Sequence, residues 1–492
     1  MVCQPPDMAE IEDIGTMNDH YRGTRPQLKY TSNNPYSYSL PCIITLSDLS
    51  SREMGRLKIH ISNKAIITGR GNLIVSLWSC MTMTTEWKDR RVLITGAGGF
   101  AGPYLARYLL DQGAAVHGLV RQPIISDPHK EKAVARGAPG MVPVIGDLDN
   151  PGSLKNAVEA AEPDVVFHLA AQSSVAKSFS DPIGTMQTNC IGTNNLLEAV
   201  RGGKQDPVVV FAGSSDEYGL VVSSPLQYEH LKKQYGIIFP EPDIPEVPIL
   251  ETNPLRPMSP YAVSKVFGDY LTRNYFHSYG VKTVVSRTFN HEGAGRGAMF
   301  VTTVIARQVA QLVAGETGSL SIGNVNAFRD WSHIDDVVRG YSILASQGVY
   351  GDVYNLGTMR TTSVLSYLLM SLEAAGFPVQ QIEASNGGKV VKNPTEPDTT
   401  PMFGIPFQKT KLDRMLLSGE AEYLLEDEGI TVRTSKGIIP VVFDPAKFRP
   451  AEVPILLADT RKIQKIGFNV SCSVEDIIRD QIAFFSDPAH RE

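Results

Sequence analysis

Residues 90–102 read Arg-Arg-Val-Leu-Ile-Thr-Gly-Ala-Gly-Gly-Phe-Ala-Gly. The short β-branched run Val92-Leu-Ile-Thr predicts a buried strand, and the stretch from Ala101 to Gln112 predicts a helix. Between them Gly96, Gly99 and Gly102 are spaced G-x-x-G-x-x-G. Glycine at these places lets the backbone turn tightly and approach a pyrophosphate, while the N-terminus of the helix offers unpaired N–H groups and a positive dipole end. The strand–turn–helix context predicts a dinucleotide site on Gly96, Gly99, Phe100, Ala101 and Gly102.

The same rhythm continues outward. Ala115–Val120, Val165–Leu169, Val208–Ala212 and Lys282–Arg287 predict strands, and Leu154–Ala161, Ile183–Arg201 and Tyr261–Tyr279 predict helices. Continuously apolar strands separated by crossover helices mean a parallel sheet covered on both faces, wound right-handedly. The expected fold class is α/β: a Rossmann-like doubly wound parallel sheet over residues 89–290. A smaller C-terminal α/β substrate domain, mainly 291–492, comes after it, with some segments returning to the first. Two stretches interrupt the rhythm. The Pro-rich residues 220–250 predict a long surface loop, and 385–445 read as an insertion holding a helix (Lys409–Leu417) and a hairpin (Ile430–Phe443). Residues 1–88 read as a poorly structured extension, or as sequence upstream of a true start at Met81 or Met83.

The chain has 492 residues, 46 Lys+Arg against 52 Asp+Glu, and a net charge of −6. That balance carries no global attraction for nucleic acid. Hydrophobic residues at 42% can fill a large core. No apolar run reaches the length of a membrane span, and Asp7, Glu10, Glu12 and Asp13 stand where a signal peptide needs apolar residues. The five Cys form no CxxC pair, which argues against a zinc site or disulfide framework and for a reducing cytoplasm. The expected location is cytoplasmic, with no metal, membrane or nucleic-acid partner.

The second strand ends at Arg121, where a guanidinium suits a ribose 2′-phosphate; this favours NADP, with NAD the alternative. Asp147 and Leu148 come after the third strand, where a carboxylate accepts from an adenine amine or else caps a helix. Leu169, Ala171, Gln172 and Ser173 end the fourth strand with small residues that admit a ligand. Tyr261 and Lys265, four apart, share one helix face. An ammonium beside a phenol favours the phenolate, so Tyr261 reads as a base toward a hydroxyl during hydride transfer.

Several strings then become recognisable: Val116-His-Gly-Leu-Val-Arg121, Arg256-Pro-Met-Ser-Pro-Tyr261, Phe289-Asn-His-Glu-Gly-Ala-Gly-Arg296-Gly, Arg329-Asp-Trp-Ser-His333 and Phe448-Arg-Pro-Ala-Glu-Val453. Over about residues 90–375 and 447–485 the chain resembles the extended short-chain dehydrogenase/reductase family and, within it, the GDP-mannose 4,6-dehydratases. The resemblance implies that GDP-mannose is oxidised at C4, loses water across C5–C6 and is reduced at C6, giving GDP-4-keto-6-deoxymannose. It implies Ser214 in place of the usual Thr as a hydroxyl on the C4 oxygen, and Asp216 in place of the usual Glu as acid/base, with Glu217 in reserve. His291 and Arg296 would join the cofactor set. Gln172, Ser214, Asn290, Arg329, Arg449 and Glu452 would hold the nucleotide sugar. A Lys expected near Val304 is absent. Trp331 and His333 read either through the motif or as a core aromatic and a structural histidine. The resemblance also implies a homodimer or homotetramer. The rival readings are a reductase of the 4-keto-6-deoxy sugar, an epimerase, or an NADP-sensing protein without catalysis.

Overall fold

The computed structural model describes residues 87–121, 138–448 and 452–491, together with two short strands, Ala65–Thr68 and Asn72–Val75. Those two pair antiparallel with Ala65 opposite Val75, where the sequence predicts little structure. The expectations for the rest of residues 1–86, including a start at Met81 or Met83, and for Arg449 lie outside the described residues.

Seven strands build the main sheet: β1 (Arg91–Thr95), β2 (Ala115–Val120), β3 (Val142–Ile145), β4 (Val165–His168), β5 (Val208–Ala212), β6 (Thr283–Thr288) and β7 (Val353–Leu356). They lie in the order β3-β2-β1-β4-β5-β6-β7, and every neighbouring pair is parallel. Alternation along β1 sends Val92 and Ile94 into one core with Leu105, Leu109 and Tyr341, and Leu93 into another with Leu154, Val158 and Leu196. Both faces are therefore covered, which is why these strands read as unbroken apolar runs. This is the expected Rossmann-like sheet. The chain reverses its winding between β1 and β4, and the loops leaving their carboxyl ends part to form a crevice.

A second, five-stranded sheet runs Leu320–Ile322, Gly437–Phe443, Gly429–Thr434, Val379–Ala384, Val390–Lys392. The predicted hairpin is present, but it is no appendage. Its strands stand in the middle of this sheet, and Ile430, Val432, Val441 and Phe443 bury against Leu365, Leu369 and Leu372. The predicted helix is shorter, Lys411–Leu417, because Lys409–Thr410 form a strand and Thr410 then caps the helix with Asp413. Among the described residues no helix is long and apolar enough to cross a membrane.

The stretch 220–250 is not a plain surface loop. Pro225–Tyr235 is a helix, capped by Ser224 and started by Pro225, and Leu231 packs with Leu220, Val222 and Ile238. The chain beyond this helix is pinned by one buried ion pair. Arg256 donates to both carboxylate oxygens of Glu246 at 2.9 Å, and to the carbonyls of Leu220 and Pro240 at 2.8 Å. Both side chains are buried. Arg256→Met would leave Glu246 charged and unpaired, so a loss of about 3–5 kcal/mol is expected in urea melts. The double variant Arg256→Met/Glu246→Leu should recover most of it, since an apolar pair replaces the charges together. A single-variant loss below about 1 kcal/mol would show that the pair does not hold the segment.

Candidate active site

The loop after β1 has the shape its glycines predict. Gly96 sits at φ +74°, and a Cβ on it would lie 2.8 Å from the Ala170 nitrogen. A Cβ on Gly102 would lie 2.5 Å from the Gly96 carbonyl oxygen. The chain can thus close on itself only without side chains. The next helix, α1 (Ala101–Asp111), has Phe100 at its N-cap and no side chain capping its first N–H groups. A bare cradle ending in uncapped, positive N–H groups is what a pyrophosphate requires, so these residues fit a dinucleotide. Leu169 and Ala171 flank Ala170 across the crevice, with Ser173 exposed beyond them. Arg121 is exposed at the end of β2. Asp147 does not cap the next helix; Asn150 does, and the Asp147 carboxylate takes the Asp149 N–H instead. Leu148 is buried beside it.

The helix α2 (Pro260–Tyr279) carries Tyr261 and Lys265, and Ser259 caps it. Beyond β5 the chain makes one 3-10 turn, Ser215–Glu217, rather than continuing as a strand. Ser214 and Glu217 form a capping box: the Ser214 hydroxyl accepts the Asp216 N–H, and the Glu217 carboxylate accepts the Ser214 N–H at 2.7 Å. The turn divides the two acids. Glu217 is fully buried, whereas Asp216 is half-buried and lines a space of about 290 Å³ with Val175, Met258, Ser259, Ala262, Arg329 and Val453. Ser214 and the charge of Asp216 both act on the Tyr261 phenol, Ser214 favouring its charged form and Asp216 opposing it, so the three side chains are neighbours.

The electrostatics differ from the sequence expectation. Burial raises the Tyr261 phenol well above its ordinary value, the negative charge of Asp216 adds to this, and Ser214 and Arg296 only oppose it. The Lys265 ammonium donates to the Ala212 carbonyl at 2.7 Å and lies over the Tyr261 ring, 5.9 Å from its centre. Desolvation thus outweighs the expected pull toward phenolate. Burial also lowers Lys265 to about 8, against the negative charge of Glu217.

Arg329 and Glu452 come together. The guanidinium reaches the Glu452 carboxylate at 2.5 Å and the carbonyls of Phe328 and Val453 at 2.8 and 2.7 Å. Asn290 presents a buried side-chain oxygen with no hydrogen-bond partner. His291 stacks on Phe100 at 6.1 Å between ring centres, and burial lowers it to about 3, so it is neutral. Arg296 lies over the rings of Phe100, at 5.0 Å, and Phe300, at 3.7 Å, and 3.5 Å from Glu292. Gln172 turns inward: its amide donates to the Ser174 carbonyl and Thr185, and its oxygen takes the Ser174 N–H. Trp331 packs on Tyr367 in the core, and His333 caps the helix Ile334–Gln347.

The sequence reading missed Val175, Met258, Ser259, Ala262 and Val453 as lining residues, although Met258 and Ser259 stand in the Arg256–Tyr261 string, Ala262 follows it and Val453 ends another. A larger space of about 560 Å³ lies beside Trp331, Lys409 and Asp413. Of its polar lining, Asp413 takes the Ser363 and Thr410 N–H groups and Lys409 is paired with Asp398.

The NAD dependent epimerase/dehydratase family model matches residues 92–357, and the GDP-mannose 4,6 dehydratase model matches residues 242–481. The GDP-mannose 4,6-dehydratase of Yersinia enterocolitica is 32% identical over 407 residues, covering 80% of this chain and 93% of its own. That of Sinorhizobium fredii is 30% identical over 400 residues, covering 80% and 96%. Among solved structures, RMD from Pseudomonas aeruginosa, complexed with NADPH, superposes with a TM-score of 0.56 at 22% identity, covering 81% of this chain and 99% of that one. DesIV, a dTDP-glucose 4,6-dehydratase from Streptomyces venezuelae with NAD bound, gives 0.53 at 21% identity, covering 80% and 96%. These two likenesses are of fold.

Proposed function

Because the chain belongs to the NAD dependent epimerase/dehydratase family, in its extended short-chain dehydrogenase/reductase form, we propose that it is a nucleotide-sugar 4,6-dehydratase that converts GDP-mannose to GDP-4-keto-6-deoxymannose. The observation that supports this reading is that Ser214, Asp216 and Arg296 all act on the Tyr261 phenol, while Arg296 also lies over the ring of Phe100 in the dinucleotide cradle. A hydride-transferring reductase needs the phenol and hydroxyl there; only an elimination also needs the carboxylate.

In this reading Gly96, Gly99, Phe100, Ala101 and Gly102 hold the pyrophosphate of NADP, and Arg121 takes its 2′-phosphate. NADP, when bound, supplies a hydride acceptor for C4 and a hydride donor for C6. Tyr261 removes the proton of the 4-hydroxyl, and the Ser214 hydroxyl steadies the same oxygen. The 4-keto group makes the C5 proton acidic; Asp216 removes it and gives it to the departing C6 hydroxyl, which leaves as water, and a proton equivalent to the one Tyr261 took restores C5 as C6 is reduced. Lys265 keeps a positive charge near the phenol. Asn290 and Arg329 face the diphosphate, with Glu452 holding the Arg329 guanidinium and accepting from ribose hydroxyls. The seven-stranded part binds the dinucleotide, and the part built mainly from 291–492 covers the sugar.

The test is incubation of the purified protein with GDP-mannose and NADP, then mass spectrometry of the products. A product lighter by one water, with no net NADPH, is expected. Consumption of NADPH by the keto sugar, or no turnover of any nucleotide sugar, would contradict the reading.

The low value of Lys265 adds a pH dependence. Its ammonium is charged below about 8 and loses its proton as pH rises through that value. Activity is therefore expected to fall on the alkaline side near 8. In Lys265→Arg, whose guanidinium stays charged, the residual activity should lose that fall. A wild-type profile flat to about two pH units higher would contradict it.

A further inference from the structure

We propose that Glu217 is a positioning residue that locks the Ser214–Asp216 turn onto the helix carrying Tyr261 and Lys265. What the turn then does rests on the dehydratase reading; the lock itself does not. Glu217 sits beside the candidate acid/base, fully buried, in a place that a leucine would occupy without any cost of desolvation. A carboxyl there needs a reason, and its contacts supply one.

At one end Glu217 accepts the Ser214 N–H at 2.7 Å. The fit is tight: a Cβ on Gly213 would lie 2.6 Å from the same carboxylate oxygen, so Gly213 leaves room for it. At the other end the second oxygen, which has no hydrogen-bond partner, lies in charge contact 3.3 Å from the Arg287 Nε on β6. Arg287 in turn donates to Asp269 at 2.8 Å, and to the Tyr218 hydroxyl and the Glu251 carbonyl at 3.1 and 2.9 Å. Asp269 is on α2, one turn beyond Lys265. The catalytic turn and the catalytic helix are thus tied together from behind through Glu217, Arg287 and Asp269. Burial, with the Asp269 charge, raises Glu217 above the usual carboxylate range, and Gln is a close copy in shape that keeps an oxygen for the Ser214 N–H.

Four full-length proteins test this: wild type, Glu217→Gln, Glu217→Leu and Glu217→Asp, each by steady-state kinetics with GDP-mannose, circular dichroism and backbone hydrogen exchange over residues 213–218. Gln should keep kcat within about threefold and keep the Ser214 amide protected. Leu and Asp, which cannot reach that amide, should lose kcat by about ten- to a hundredfold with KM nearly unchanged, and should exchange faster there. Asp keeps the polarity, so it decides the matter if Leu does not fold. Wild-type kcat and protection in Asp would overturn the proposal. Loss of all elimination in Gln would overturn it differently, by making Glu217 the acid/base. If wild type dehydrates nothing, the functional reading falls, and the exchange data still judge the lock.

Discussion

Asp216→Asn is expected to lower the rate of water elimination from GDP-mannose by about 10³-fold or more while leaving NADP affinity unchanged. General acid–base catalysis by a placed side chain contributes about 10²–10⁴-fold, and the amide can neither take the C5 proton nor give it back. The cradle on Gly96, Gly99 and Gly102 lies on a different loop, so binding should not change. Oxidation at C4 should survive, because it uses Tyr261 and Ser214. A single turnover should then trap reduced cofactor, visible in its near-ultraviolet absorbance, with no dehydrated product. Asp216→Glu, which adds one methylene, should retain activity. Full activity in Asp216→Asn, together with a dead Glu217→Gln, would move the role to Glu217.

Tyr261→Phe should be nearly as damaging, at about 10²–10⁴-fold in kcat, but at the earlier step. The variant removes one oxygen from a ring whose packing is otherwise kept. Without that oxygen the 4-hydroxyl keeps its proton, no hydride leaves C4, and no reduced cofactor should appear in a single turnover. The contrast with Asp216→Asn separates oxidation from elimination. In the free protein the Tyr261 phenol is neutral, since burial and Asp216 both raise it. The base therefore has to form as the site fills, and Ser214 and Arg296 are the groups of this chain that favour it. Activity within about tenfold of wild type would remove Tyr261 from the chemistry.

The dinucleotide half is legible in the sequence because its signals are local. A strand, three glycines and an amphipathic helix lie within 22 residues of Arg91, and the buried strands announce themselves as unbroken apolar runs. Segments whose partners are distant in sequence are harder to read. Ile430–Phe443 reads correctly as a hairpin, yet nothing local reveals that Leu320–Ile322 and Val379–Ala384 flank it. The helix Pro225–Tyr235 is hidden by the prolines around it, although Ser224-Pro225 is itself a helix start. Strand alternation predicts that Asp216 and Glu217 point apart; the separation arises instead from a 3-10 turn. Ser214 and Glu217, spaced as a capping box, are the available signal. Gln172 reads as a sugar ligand through the family resemblance; its hydrogen bonds to Ser174 and Thr185 depend on how the chain folds back and are invisible in sequence. The phenol's charge state escapes the sequence because spacing shows that Lys265 and Tyr261 share a face, but not that the ammonium prefers the Ala212 carbonyl.

The most direct measurement tracks one labelled atom. GDP-mannose carrying deuterium at C4 is converted by the protein in ordinary water, and the product is examined by mass spectrometry and NMR. If a single nicotinamide takes the hydride and gives it back within the closed site, the label is found at C6 of a dehydrated product, with no reduced cofactor left over. Label remaining at C4, or carried away on released cofactor, would contradict the account.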